Sequence, residues 1–366
     1  MALFELDTDH HFFLIVDQPL DALARFENVT VIQAVSSRPT TQAAVARSSR
    51  SLLDLYRLRR AVASCPIDVM FFPAVYSWFP APFRLPAMVT VHDAIAEHYP
   101  KLIFPDWKGR LFWKIKMQTA IWASRRILTV SNAAKAEIVE YIGADSSVID
   151  VTSEAPDPQF LRINDEQRER AARQRAGVPE DVALILFVGG LAPHKNLHGF
   201  LDGYERALGA ACMRDVHVAL IGDLKGGGFF SDYHSLFSKV TSSPLLATKV
   251  HFSGYVSDRD LVALYSSALA LTMPSYSEGF GLPAIEAMAC GAPVLASNRG
   301  SLPEVVGDAG IYFDPFNIES ISNAIIEMAE NNRLRLELSS NALTRARTFT
   351  WQHSAQVTLS HLEAMV

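Results

Sequence analysis

Short runs of consecutive apolar residues recur along the chain, each followed by a segment long enough for a helix and its turns. In the first half they are FFLIVD (12–17), VTVIQA (29–34), DVMFFP (68–73), MVTVHD (88–93), ILTVS (127–131) and VIDVTS (148–153). In the second half they are ALILFVG (183–189), VHVALIG (216–222), KVHFSG (249–254), ALTMPS (270–275), PVLASN (293–298) and GIYFDP (310–315). A strand with one wet face alternates apolar and polar residues. These runs do not alternate, so they predict parallel strands covered by helices on both faces. Their regular β–α order predicts two doubly wound α/β domains.

Between the two sets, DPQFLRINDEQRERAARQRAGVPED (157–181) is highly charged and has little apolar periodicity until its end. It predicts a linker at 166–180 carrying a polar helix, between an N-terminal domain at 1–165 and a C-terminal domain at 181–346. The remaining residues, 347–366, predict an amphipathic helix that crosses back to the first domain.

Composition narrows the class. A chain of 366 residues with 49% hydrophobic content can build two cores and is not disordered. Its formal net charge of −6 gives no overall basic field, so no nucleic-acid partner is expected. Cys65, Cys212 and Cys290 have no metal-type spacing, and an odd number argues against a disulfide framework, which fits a reducing, cytoplasmic compartment. No apolar run approaches the about 20 residues that span a bilayer, and MALFELDTDHH lacks the order of a signal peptide.

Chemistry concentrates after two of the second-half runs. SYSEGFGLPAIEAMACG (275–291) is a glycine loop leading into a proline-started helix. Beyond a parallel strand's carboxyl end, such a helix start offers free N–H groups and partial positive charge to an anion. Glu286, about one turn into the helix, suits the paired hydroxyls of a ribose, and Glu278 on the loop suits a second polyol. A nucleotide sugar has all three features. FVGGLAPHKNLHGF (187–200) places Lys195 as a point charge near a helix start, where it can stabilise a diphosphate leaving group. GDLKGGGFF (222–230) does not keep the G-x-G-x-x-G spacing and predicts a loop rather than a dinucleotide fingerprint. In DWKGRLFWKIKMQTAIWASRR (106–126) the aromatics are expected to pack in the first domain with the charges solvated. The competing expectation is peripheral contact with anionic lipid on the inner face of a membrane.

The block from Gly254 to Gly310, with Glu278 and Glu286 separated as E-x7-E, resembles retaining GT-B glycosyltransferases of the group 1, family 4 class. Weaker likeness runs from about Phe12 to the C-terminus. The resemblance implies a GT-B fold: two Rossmann-like domains facing across a cleft, with the donor held mainly by residues after 180. It implies transfer of a hexose from a nucleoside diphosphate sugar to an acceptor hydroxyl with retention, without a metal or other cofactor. Residue by residue, Glu278 matches the glutamate that holds donor-sugar hydroxyls, and Glu286 the one on the ribose. Phe280, Gly281 and Leu282 match backbone donors to sugar and diphosphate. Lys195 matches the lysine on the diphosphate, and His92 in VTVHDAIAEHYP the histidine near the donor sugar. Ser131 reads mainly as a helix N-cap. Family members often carry an arginine after the glycine matched by Gly189. Gly190 stands there in this chain, so either the helix N-termini suffice or His194 or Arg299 compensates.

PHKN and SLPEVVGDAG look most like bacterial mannosyltransferases of polysaccharide assembly, implying GDP-mannose as donor and a saccharide or lipid-linked saccharide as acceptor. A retaining glycosidase would also use two carboxylates, but it would leave the anion site without purpose. A non-catalytic nucleotide-sugar-binding protein or a nucleotide-sugar epimerase would fit the same motifs, and product analysis separates them from a transferase. The resemblance also implies a strand and helix ahead of FFLIVD, roughly 30 residues. Without that unit, donor binding is expected to survive and transfer to be poor.

Overall fold

The computed structural model describes residues 1–366 except 17–22, 24, 35–50, 83–84, 105 and 225–230. The chain forms two compact units, Met1–Ser153 together with Trp351–Val366, and Glu154–Thr350. Every apolar run named above overlaps a strand, and all the strand pairs among the described residues are parallel.

In the first unit the strands are β1 (Phe12–Val16), β2 (Val29–Gln33), β3 (Met70–Phe72), β4 (Ala87–Thr90), β5 (Arg126–Thr129) and β6 (Ile149–Val151). Among the described residues they form two sheets, β1–β2 and β3–β4–β5–β6. Helices α1 (Leu52–Ala63) and α2 (Trp107–Trp122) turn Leu58, Val62, Met117 and Ala120 onto the strand residues Phe72, Val89, Ile127 and Ile149. A shorter helix, α3 (Asn132–Glu137), starts on Ser131, whose hydroxyl accepts from the Ala134 N–H at 2.9 Å.

The segment placed at 166–180 as a linker belongs to the second unit, and the boundary falls after Ser153. Helix α4 (Glu166–Arg175) buries Ala172 fully, and Ala176 and Val178 follow it into the same core. Small alanines give almost no hydrophobic periodicity, yet they allow close helix packing. Arg173, also buried, donates to the Val182 carbonyl at 2.9 Å, and Arg175 pairs with Asp260.

The second unit continues with β7 (Ala183–Val188), α5 (Leu197–Ala207), β8 (Val216–Ile221), β9 (Val250–Gly254), α6 (Asp258–Ser266) and β10 (Ala270–Met273). Then come α7 (Leu282–Ala289), β11 (Val294–Ser297), β12 (Gly310–Phe313) and α8 (Ile318–Glu330). The sheet order is β12–β11–β10–β7–β8–β9, so the winding reverses between β7 and β10. Loops leaving two strands that diverge at such a point open a crevice at their carboxyl ends. The last helix, α9 (Trp351–Glu363), groups with the first unit, where Leu362 and Met365 meet Met88 and Leu128 on the sheet face opposite α1 and α2. No described helix is long and apolar enough to cross a membrane.

Candidate active site

The crevice at the reversal point receives the loops after β7 and β10. Gly189 and Gly222 end β7 and β8 side by side. A Cβ on Gly222, at φ +144°, would lie 2.1 Å from the Gly189 carbonyl oxygen, so only glycine allows that approach. Gly190 is exposed with open space around it. A single 3-10 turn, Pro193–Lys195, then sends Lys195 across to the β10 loop. Its ammonium donates to both oxygens of Glu278, at 2.6 and 2.8 Å.

Glu278 is 7% exposed and takes a third hydrogen bond from the Ser275 hydroxyl at 2.5 Å. Burial alone would push its carboxyl up. The Lys195 charge, with the hydrogen bonds from Lys195 and Ser275, outweighs burial and holds it below the ordinary carboxylate value. His194 behaves oppositely: burial and the adjacent Lys195 charge push it down to about 4, so it is neutral near pH 7 and cannot replace a missing arginine. Arg299 remains available. It lies half-exposed, 5.7 Å from the Phe316 ring and 4.0 Å from Asp314.

Several residues given no role in the sequence reading hold this loop. Ser297 donates to the Ser275 carbonyl at 2.7 Å, and Ser301 to that of Phe280 at 2.8 Å. A Cβ on Gly300 would meet the Glu278 backbone nitrogen at 2.7 Å, which is why the loop after β11 can close on it. Asn196 ties three loops together. It is 4% exposed, sits at φ +52°, and donates from its amide to the carbonyls of Pro274 at 3.2 Å and Pro315 at 2.8 Å. Asn196→Gly should lose those two bonds, whereas Asn196→Ala should lose them and add about 1 kcal/mol of left-handed strain. Denaturant unfolding that finds the two variants equally stable would remove the strain from this account.

Phe280 is buried edge-on to Phe349 at 5.6 Å. Gly281 is the N-cap of α7 without a side-chain cap, and Leu282 opens the helix. Glu286 follows one turn later and is half-buried. Burial and the charge on Asp258 raise it to about 7, against the pull of the Tyr265 hydroxyl beside it. Cys290, one further turn on, is fully buried, and burial with the Glu286 charge pushes its thiol up to about 12. Glu278, Lys195, Gly189, Gly190, Phe280, Gly281, Leu282 and Glu286 are therefore all carried by the second unit. His92 is in the first unit, after β4, where burial lowers its pKa against the opposing charge of Asp93. Most of the 222–230 loop lies outside the described residues.

The loops after β7 and β10 thus bring a buried carboxylate, a lysine and a helix start without a side-chain cap to the winding reversal of one parallel sheet. Residues 6–159 match Glycosyltransferase Family 4 and residues 168–345 match Glycosyl transferases group 1, and the chain belongs to this glycosyltransferase family. It is 29% identical over 293 residues to O-antigen chain mannosyltransferase B of Escherichia coli, covering 77% of this chain and 71% of that protein. It is 28% identical to the serotype-specific mannosyltransferase WbdA of Escherichia coli over 64% of this chain, but spans only 28% of that protein's length. Anabaena HepE, solved in complex with UDP-glucose, superposes with a TM-score of 0.70 over 96% of this chain and 91% of its own, at 19% identity. The fold is that of GT-B glycosyltransferases.

Proposed function

We propose that the chain transfers mannose from GDP-mannose to a hydroxyl of a saccharide or lipid-linked saccharide, with retention, in the cytoplasmic assembly of a bacterial polysaccharide. Mannosyltransferase relatives support the sugar, and the nucleotide sugar held by a structural neighbour supports the donor class. The observation that carries the reading is the pairing of Lys195 with Glu278 at the winding reversal. Two of the three lysine donors are engaged by Glu278, which leaves one for a diphosphate oxygen. Glu278 keeps acceptor capacity for hydroxyls of the transferring sugar. Lys195 and the α7 start supply the positive charge that a metal would bring, so the transfer is proposed to need none. The leaving phosphate assists removal of the acceptor proton, and no protein nucleophile is invoked.

Glu286→Ala should weaken nucleotide binding, and Glu278→Ala should mainly slow transfer with nucleotide affinity retained. Equal loss of nucleotide affinity in both would contradict this division. Product analysis with GDP-mannose separates transfer from hydrolysis, epimerisation and simple binding. The exposed Gly190 favours a second reading, a binding protein with weak transfer, because a family cation is absent there.

A further inference from the structure

The loops that leave β10, β11 and β12 in the second unit meet in an aromatic shelf. Tyr276, after β10, and Phe316, after β12, stack with ring centres 4.8 Å apart and 14° between their planes. The guanidinium of Arg299, after β11, lies 5.7 Å from the centre of the Phe316 ring. Phe316 is 61% exposed, and Ile318 extends the apolar surface at 45%. The ring is nonetheless held in place. The Phe316 N–H donates to the Asp314 carboxylate at 3.1 Å, and the Pro315 carbonyl before it accepts from Asn196 at 2.8 Å. Tyr276 is fixed in turn by its own N–H, which donates to the His194 carbonyl at 2.9 Å. Arg299 lies 4.0 Å from Asp314, beyond hydrogen-bond reach, and its guanidinium makes no hydrogen bond among the described residues.

A fixed, exposed ring rimmed by a guanidinium and a carboxylate complements a pyranose, which presents a face of C–H groups and an edge of hydroxyls. We infer that Phe316, backed by Tyr276 and flanked by Arg299, is a stacking subsite for a ring of the acceptor saccharide. This rests on the proposed transfer to a saccharide hydroxyl. The ring concerned is one beyond the reacting ring, because the reacting hydroxyl must meet the sugar held at Glu278. A nucleobase would also stack on such a shelf, but its place is elsewhere. Helix α7, which carries Glu286, packs with α6 on one face of the sheet, whereas α8, which starts just past Phe316, packs with α5 on the other. A nucleotide with its ribose on Glu286 therefore extends away from the shelf. Tyr276, two residues before Glu278, links the shelf to the donor-sugar carboxylate. Because the ring is already fixed, little ordering would oppose stacking on it.

Ligand-observed saturation-transfer NMR with α-mannotetraose, maltotetraose and cellotetraose reads saccharide binding without donor or turnover. At least one of the three is expected to take up saturation from the wild-type chain. Phe316→Ala should lose that signal with an unchanged melting temperature, since the ring is exposed, and Phe316→Trp should keep it. Transfer from GDP-mannose to methyl α-mannoside and to α-mannotetraose reads the consequence. Phe316→Ala should raise KM for the tetrasaccharide about fivefold, the scale of one stacked aromatic contact, with kcat, donor affinity and KM for the monosaccharide unchanged. Arg299→Gln should raise the same KM. No saccharide binding by the wild-type chain, binding retained in Phe316→Ala, or an equal rise in KM for both acceptors overturns the inference. Binding that depends on Phe316 with no transfer from any nucleotide sugar upholds the subsite and overturns the transferase reading instead.

Discussion

Lys195→Ala is expected to lower glycosyl transfer by about 10²-fold or more, the scale on which single charge-stabilising donors act. The same substitution strands Glu278, 7% exposed, without its cation. Breaking a buried pair from one side costs about 3–5 kcal/mol, so the variant should also be less stable. A control separates the two effects: Lys195→Met combined with Glu278→Gln removes both charges and should recover much of the stability without recovering transfer. Linkage adds a signature. Because the folded pKa of Glu278 is depressed, its contribution to stability is present above the ordinary carboxylate value and lost as pH falls through the folded one. In Lys195→Ala that carboxyl should titrate higher. Denaturant unfolding against pH reads the stability, and product formation reads the transfer. Wild-type turnover in Lys195→Ala would remove the lysine from the mechanism.

Donor affinity should rise with pH, by about tenfold per unit up to pH 7 and little beyond it. In the proposed role only an ionised Glu286 accepts from two ribose hydroxyls, and its folded pKa is raised to about 7. Between pH 5 and 8 this amounts to about 100-fold. GDP-mannose is the suitable probe, because its diphosphate is esterified at both ends and does not titrate in this range. Stability without donor should move the other way. A raised carboxyl pKa gives stability that is full below the ordinary value near 4.5 and lost as pH climbs through about 7, on the order of 3 kcal/mol. Glu286→Gln should bind weakly and flatten both trends. Calorimetry showing pH-independent binding by the wild-type chain would take Glu286 off the ribose.

Strand positions were legible because fully covered parallel strands write unbroken apolar runs. Strand order was not, since every run looks alike; the reversal between β7 and β10 emerges only from the pairing. Helix α4 reads as a linker because its buried side chains are alanines among arginines and glutamates. In α2, Trp113 packs inward while Trp107 and Trp122 are exposed; its two faces sum to an evenly apolar helix, so the sequence could not say which tryptophans faced inward. At the site, Glu278, Glu286 and Lys195 stood out through their setting of glycines and strand ends. Asn196, Ser297, Ser301 and Gly300 act through backbone carbonyls and close approach, which leave no spacing rule. The Ser-Asn-Arg-Gly-Ser stretch at the end of β11 was the available hint.

The three thiols of the chain live on different timescales. Cys65 and Cys212 are half-exposed, whereas Cys290 is sealed, with a thiol that stays protonated far above neutral pH. Thiolate is the reactive form. An alkylating reagent therefore modifies two sulfurs in the folded chain and reaches the third only when the second unit opens around α7. The slow third increment of mass is a clock for that opening. Because Cys290 sits one turn from Glu286, the clock runs beside the carboxylate proposed to hold the ribose, and on that proposal a nucleotide sugar should slow it in proportion to its grip.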